Sequence, residues 1–359
     1  MNKIKLGIDL GGGEIKATGV DPDGQVLITN AEGYLKTPSM CPDGPKTTVR
    51  QIVIAAQGVC GQLGIKLQDV ESIGLDSFGP AINGVISDPP NAWHDGWNHF
   101  DLRSEVEQAI AEAAGKQIPV KYINDGDAAA WGEFSHSFSG SRQTVLVYAL
   151  GSGVAHGTIY HGRLVVGDRG MGNHAPHETI SQAPLRRVYG EFGLDVPESF
   201  WETRVSPTGN LLEDAAELFT SVNDIRVQLE RLLPGVPEHV LHETPDRNND
   251  RAYKVLGLAT DGGGDEFCRT IFIRQATNLG YFLAMQSMNF DPSAIIIGGG
   301  INEAPDWFKA MYLEATKRSF DVFAKKPHKT TAEGGVSIRW AELGDLAASF
   351  GAALLAGEE

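Results

Sequence analysis

The chain has 359 residues, enough for two domains of ordinary size, each with its own core. Its 30 Lys+Arg against 46 Asp+Glu leave a net charge of −16, so neither nucleic acid nor an anionic membrane surface is an expected partner. Cys41, Cys60 and Cys268 form no Cys-x-x-Cys pair, and no stretch reaches the ~18 apolar residues of a membrane span, so a thiolate zinc site, secretion and anchoring are not expected and a cytoplasmic protein is.

In chain order, Ile4 to Leu10, Ile15 to Val20 and Gln25 to Thr29 read as three strands of an antiparallel meander, with Asp21-Pro22-Asp23-Gly24 as its hairpin turn. Gly11-Gly12-Gly13 occupies the first turn, where backbone N–H groups can approach an anion closely; a plain structural turn explains it as well. Asp9, just before it, is either a turn acid or the holder of a hydrated Mg²⁺ near phosphates. Thr47 to Leu63 has helical periodicity, and Ser72 to Asp76 is the next strand, ending in Phe78-Gly79-Pro80. The loop from Asp88 to His99 mixes Pro, Asn and Trp, a combination suited to a sugar's hydroxyls and apolar face, with Asn91 as its candidate ligand. Leu102 to Ala114 is a helix, and a short strand after Pro119 runs into Asn124-Asp125-Gly126, with a helix opening at Ala128-Ala129-Ala130. Asp125 at such a corner can accept a substrate proton, or Asn124 and Asp125 can simply cap the helix.

A second meander follows: Thr144 to Leu150, Gly151-Ser152-Gly153, Val154 to Tyr160, His161-Gly162, Arg163 to Val166. Its likeness to the first suggests a duplicated domain with an anion-binding turn in each half. The Gly- and His-rich loop 167–177 offers His174 and His177, better suited to hydrogen-bonding a substrate than to a metal without a third ligand. Residues 180–205 resist assignment, Leu211 to Leu232 reads as a helix, and Pro234 to Arg251 as a polar excursion. Asp265 to Phe290 is a long helix; the buried strand Ala294 to Ile297 then feeds Gly298-Gly299-Gly300, where bare backbone can carry a flat base or ribose. Trp307 to Phe320, Val336 to Trp340 and Asp345 to Ala356 read as helix, strand and helix.

With these pieces in this order, from Ile4-Lys5-Leu6-Gly7-Ile8-Asp9-Leu10-Gly11-Gly12 to Leu343-Gly344-Asp345, the sequence resembles the ROK family (repressors, open reading frames and kinases) of the actin-like ATPase superfamily. The resemblance implies an α/β fold of two ribonuclease H-like domains, 1–134 and 135–344, with ATP in an interdomain cleft and the C-terminal helix 345–359 packed back on the first domain. It implies Asp125 as general base toward a sugar hydroxyl and Asn124 on a neighbouring hydroxyl. Asp9, Gly11, Gly12 and Gly13 match the first phosphate loop, Gly151, Ser152 and Gly153 the second, and Gly298, Gly299, Gly300 and Asn302 the adenosine motif. Gly79 and Asn91 fall where the family has its Pro-Gly turn and sugar loop. A kinase using ATP and Mg²⁺ on a small-molecule sugar is implied, with a homodimer among the assemblies allowed.

Three departures stand out. Glu14 follows Gly13 where the family carries Thr-Lys, placing a negative charge near the expected phosphates. The Glu-x-Gly-His sugar motif is replaced by His174-Ala175-Pro176-His177. The cysteine-rich zinc motif is absent, so no zinc is expected, although Trp201-Glu202-Thr203 resembles its end and makes Glu202 a candidate sugar ligand. A sugar-responsive repressor would need a helix-turn-helix before the first strand, for which residues 1–3 leave no room. A binding protein that has lost phosphoryl transfer is the other alternative.

Overall fold

The computed structural model describes residues 3–87, 96–170, 172–206, 211–244, 250–261 and 264–357. The Asn91 loop lies outside them. The chain divides into two compact units, 1–147 with 156–173 and 341–359, and 148–155 with 174–340.

The first unit is built on a five-stranded sheet of β1 (Ile4–Leu10), β2 (Glu14–Val20), β3 (Leu35–Pro38), β4 (Val70–Ser77) and β7 (Val120–Asn124), in the order β3-β2-β1-β4-β7. β1 and β2 form an antiparallel hairpin, whereas β4 and β7 run parallel to β1. Alternation sorts the two faces. Leu6, Ile8 and Leu10 of β1 and Ile73 and Leu75 of β4 join one core cluster with α1 (Pro45–Leu63) and α2 (Leu102–Ala114). Gly7 and Gly74 point the other way, against α10 (Ala347–Leu355): a Cβ at Gly7 would lie 1.7 Å from the Ser349 carbonyl oxygen, and one at Gly74 1.9 Å from that of Ala352. Glycine is required there by close approach. α10 also packs on α3 (Asp125–Ser137), where a Cβ on Gly351 would meet the Ala128 carbonyl oxygen at 1.9 Å. A small ladder, β5 (Ala81–Ile82) with β6 (Val85–Ile86), completes the N-terminal half.

The third strand differs from the expectation at Gln25 to Thr29. Asp21 accepts the N–H groups of Asp23 and Gln25 through its side chain, and Leu27 donates to Gly19, so this stretch closes a turn with only a Val20–Val26 bridge. The strand that pairs with β2 is β3, ten residues later, in the register Glu14↔Pro38 to Ala17↔Leu35.

A second sheet has the order β10-β9-β8-β11-β12, comprising β8 (Val145–Leu150), β9 (Val154–Tyr160), β10 (Arg163–Val165), β11 (Ala294–Gly299) and β12 (Ser337–Trp340). In chain order both sheets read third-second-first-fourth-fifth, the repeat anticipated from the two glycine turns. The second unit's helices are α4 (Gln182–Phe192), α5 (Glu217–Thr220), α6 (Val222–Leu232), α7 (Asp250–Thr260), α8 (Glu266–Phe290) and α9 (Asp306–Phe323). The single helix expected over 211–232 is thus two, separated at Ser221, which leaves helical geometry and caps α6 by accepting the Asn223 N–H. α4 and α7 fall where the sequence reading assigned nothing regular. Their buried stripes are short, Leu185, Val188 and Tyr189 in α4 and Ala252, Val255 and Ala259 in α7, and Tyr189 joins a local cluster with Leu194 and Phe200. Arg204 is fully buried here, ion-paired to Asp224 and 3.9 Å from the Phe219 ring centroid. All three cysteines are free and buried.

Candidate active site

In the first unit, the chemistry gathers at the carboxyl ends of β1, β4 and β7. The register aligns Asp9 of β1 with Asp76 of β4, and Asp76 with Ile123 of β7. Two residues beyond Ile123 comes Asp125. Asn124 caps α3, accepting the Gly126 N–H at 3.1 Å, and α3 therefore starts at Asp125, three residues before the alanine run that was expected to open it. Asp125 accepts the same N–H at 2.8 Å, and burial pushes its carboxyl up to about 6, with the backbone bond opposing and the Asp9 charge adding to the rise. A Cβ on Gly79 would come within 3.4 Å of the Asn124 Nδ2, so that turn lies against the Asn124 amide. Asn124 also lines a pocket of about 510 Å³ with Asn83, Tyr122, Trp131 and Arg163.

Asp9 is held above its ordinary range by burial, which outweighs the pull of Lys16, 3.9 Å from it. Lys16 is also 3.1 Å from Asp345, and Asp345 receives Lys36 at 3.8 Å. The glycine turn 11–13 is pinned through its carbonyls: Ser39 Oγ donates to Gly12 and the Ser39 N–H to Gly13. A Cβ on Gly13 would meet nothing within 4 Å, which leaves open space beside this turn. Glu14 is half exposed and paired with Lys36 at 3.2 Å, so its charge is answered within the hairpin.

In the second unit, the turn 151–153 is braced from behind. The Val154 N–H donates to Glu217 at 3.0 Å, the Val222 N–H to the Gly151 carbonyl at 3.0 Å, and Asn223 Nδ2 to the Ser152 carbonyl at 3.4 Å. A Cβ on Gly153 would touch the Glu217 carboxylate at 3.0 Å. His177 Nε2 lies 3.8 Å from that same Glu217 oxygen, and the His174 and His177 rings are 5.1 Å apart. Burial lowers both imidazole pKa values, and His174 lowers that of His177 further, so both rings are neutral at pH 7. Gly299 has φ +90° and a Cβ there would lie 2.1 Å from the Leu150 carbonyl oxygen, a packing requirement, whereas Gly300 faces open space. Asn302 lies in the 3-10 turn Gly300–Glu303 that follows. Glu202 is exposed just after the 3-10 turn Glu198–Trp201, its backbone carbonyl held by Arg231 at 2.9 Å. Among the described residues no hydrogen bond or ion pair joins its carboxylate to His174 or His177.

The chain matches the description "ROK family" over residues 5–196 and 246–359. It belongs to the ROK family. The glucokinase of Streptomyces coelicolor is 26% identical over 99% of this chain and 98% of its own length, and that of Halalkalibacterium halodurans 25% identical over 96% and 92%. Among solved structures, a ROK glucokinase from Streptomyces griseus in complex with glucose and AMPPNP superposes with a TM-score of 0.73 at 24% identity, covering 99% of this chain and 100% of that one. A ROK family transcriptional regulator superposes at 0.68 with 20% identity, over 99% of this chain and 78% of its own. At these identities the structures establish the fold: mixed α/β sheets in the actin-like arrangement.

Within this ROK chain several residues went unread in the sequence. Asp76 is fully buried and its carboxyl is held well above the carboxylate range, by burial first and then by Asp9 and Asp125. Its signal was an acid inside the apolar run Ile73-Gly74-Leu75, where a charge is rare without a reason. Asp127, pushed up to about 7 mainly by burial, accepts a hydrogen bond from Asn173 Nδ2. Lys16, Glu217 and Asp345 carried no local signal, since only pairing across strands or between elements brings Lys16 and Asp345 to Asp9 in the first unit and Glu217 to the turn 151–153 in the second. His239, Asp265 and Cys268 form one further cluster with ligand-like spacing. There the His239 Nδ1 accepts the Leu241 N–H, so the neutral ring carries its proton on Nε2, which faces Asp265 at 3.2 Å, and neither ring nitrogen is left free for a metal.

Proposed function

We propose that the chain is an ATP-dependent sugar kinase that transfers the γ-phosphoryl group to a hydroxyl of a hexose or hexose derivative, with Asp125 as general base. The observation that carries this reading is Asp125 itself, the first residue of α3 at the carboxyl end of β7, beside a capping Asn124 and in a chain of the ROK family. A carboxylate with its pKa at about 6 is ionised at pH 7 and basic enough to take a hydroxyl proton as the hydroxyl oxygen attacks. Asn124, with its oxygen committed to the Gly126 N–H, keeps its amide N–H₂ for an adjacent hydroxyl. The glucokinases among its relatives support the reaction class.

The residues of the first unit fit a magnesium-nucleotide. Asp9 stands at the turn, with Asp76 buried beside it and no hydrogen-bond donor to Asp76 among the described residues. Mg²⁺ held near Asp9 would screen the phosphate charge and draw electrons from the transferring group. The backbone of 11–13 in one unit and of 151–153 in the other is suited to phosphate oxygens, and the open side of Gly300 to the adenosine. His174, His177 and Glu202 are assigned to the sugar side, where this chain departs from the family pattern. The deciding experiment is ADP release from ATP over a panel of hexoses, amino sugars and N-acetylated sugars, repeated with Asp125→Asn. Sugar-dependent release that the substitution abolishes supports the assignment; an Asn variant that turns over like the parent removes Asp125 from the role. A binding protein without transfer would show tight sugar binding by calorimetry and no ADP.

A further inference from the structure

Asp76 is fully buried, and neither of its carboxylate oxygens meets a hydrogen-bond donor among the described residues. An acid in that state needs a positive partner or a proton, because desolvation without compensation costs several kcal/mol. Its cross-strand neighbour is Asp9, which is another acceptor. By alternation Asp9 and Asp76 project on the same face of the sheet as Gly7 and Gly74, and the next strand continues the row through Ile123 toward Asp125. Of the lysines that strand register puts on this face, Lys16 pairs with Asp9 and Asp345, and Lys36 with Glu14 and Asp345. These two ammonium groups are thus taken up by Asp9, Glu14 and Asp345, and among the described residues no ion pair reaches Asp76.

We propose that Asp76 is a second protein carboxylate of the divalent-cation site, acting with Asp9 on the Mg²⁺ that accompanies the nucleotide. Two adjacent carboxylates with the remaining positions filled by water and phosphate is the coordination this small, reluctantly dehydrated cation favours. Neighbouring parallel strands, about 4.8 Å apart, bring two such side chains to one ion without any change of the main chain. The arrangement also explains why a buried acid sits on β4 among apolar residues and glycine: it acts on the site rather than in the core.

This inference rests on the kinase reading, and the two are tested separately. Mn²⁺ binding is measured by electron paramagnetic resonance, with and without ADP, on the full chain and on Asp76→Asn, whose folding is checked by its thermal transition. The expected result is at least tenfold weaker Mn²⁺ binding in the variant, with affinity for ADP alone unchanged. Equal Mn²⁺ affinity in the two proteins overturns the proposal and leaves Asp76 a neutral acid hydrogen-bonded to Asp9. Should the variant not fold, counting the waters on Mn²⁺ bound to the unaltered chain with ¹⁷O-labelled water decides instead: two protein carboxylates support it, and one or none overturns it. Sugar-dependent ADP release by the parent reports on the kinase reading whatever the Mn²⁺ result.

Discussion

Helix capping and the proposed general base at Asp125 are rivals in the local sequence, and the fold allows both. The residue before it caps the helix, and the capped turn leaves the Asp125 carboxylate at the end of the strand. Its raised pKa has consequences in two directions. Turnover needs the ionised base, so kcat/KM is expected to rise through about pH 6 and level off above it. Stability runs the opposite way. A carboxyl whose folded pKa exceeds the unfolded 3.8 holds its proton more tightly when folded, so its stabilising contribution is complete below about pH 4 and lost as the pH rises through about 6. Asp125→Asn should therefore lower kcat by about 10²–10⁴-fold. The same variant should melt above the parent at pH 8 and level with it near pH 4, which calorimetric scans at the two pH values check. Glu217 offers a second test. Glu217→Gln keeps an acceptor for the Val154 N–H, whereas Glu217→Ala leaves that N–H unpaired and removes one of the three braces of the turn. Alanine is expected to raise KM for ATP severalfold and glutamine to leave it close to the parent's, as initial-rate kinetics would show.

The elements themselves were mostly legible from periodicity, because a strand or helix with one buried face writes that face into its sequence. β1, α2, β9 and α8 are found within a residue of where their patterns place them. The misplaced third strand shows the limit. Gln25 to Thr29 has strand-like composition, but Asp21 gathers the turn's N–H groups and the partner of β2 is supplied by Leu35 to Pro38 instead. α4 and α7 escaped notice although each has a buried stripe, Leu185, Val188 and Tyr189 in one and Ala252, Val255 and Ala259 in the other, because a stripe of three residues hardly stands out from the polar sequence around it. The glycines show how packing overrides propensity. Gly74→Ala would place a methyl 1.9 Å from the Ala352 carbonyl oxygen, so β4 and α10 must part, and a loss of about 3 kcal/mol or more is expected. Gly61→Ala on α1 meets nothing within 4 Å and should instead stabilise by about 0.5–1 kcal/mol. Denaturant unfolding of the two variants side by side measures both.

For the molecule as a whole, ligand binding is the most direct reading of substrate class. A sugar that binds the folded chain and not the unfolded one must raise its melting temperature, and the proposed function expects a hexose to do so further in the presence of a non-hydrolysable ATP analogue. A melting temperature unmoved by every hexose in the panel would count against the sugar assignment. Among the described residues no helix is long and apolar enough to cross a membrane.

By itself the sequence determined the family, the two glycine turns and the Asn124-Asp125 corner, because each is a local pattern in which backbone geometry demands particular residues in a short span. The repeated strand order was foreshadowed by those turns and became visible as topology. Only the tertiary structure decided what surrounds Asp125. Asp9, Lys16, Asp76 and Asp345 are separated by up to hundreds of residues in the chain and are brought together by strand register and by the return of the C-terminal segment to the first unit. Electrostatics depends on those distances and on burial, and neither is written in any single stretch. The acid at Asp76 went unread as the end of a strand, and only the register of three strands sets it beside Asp9.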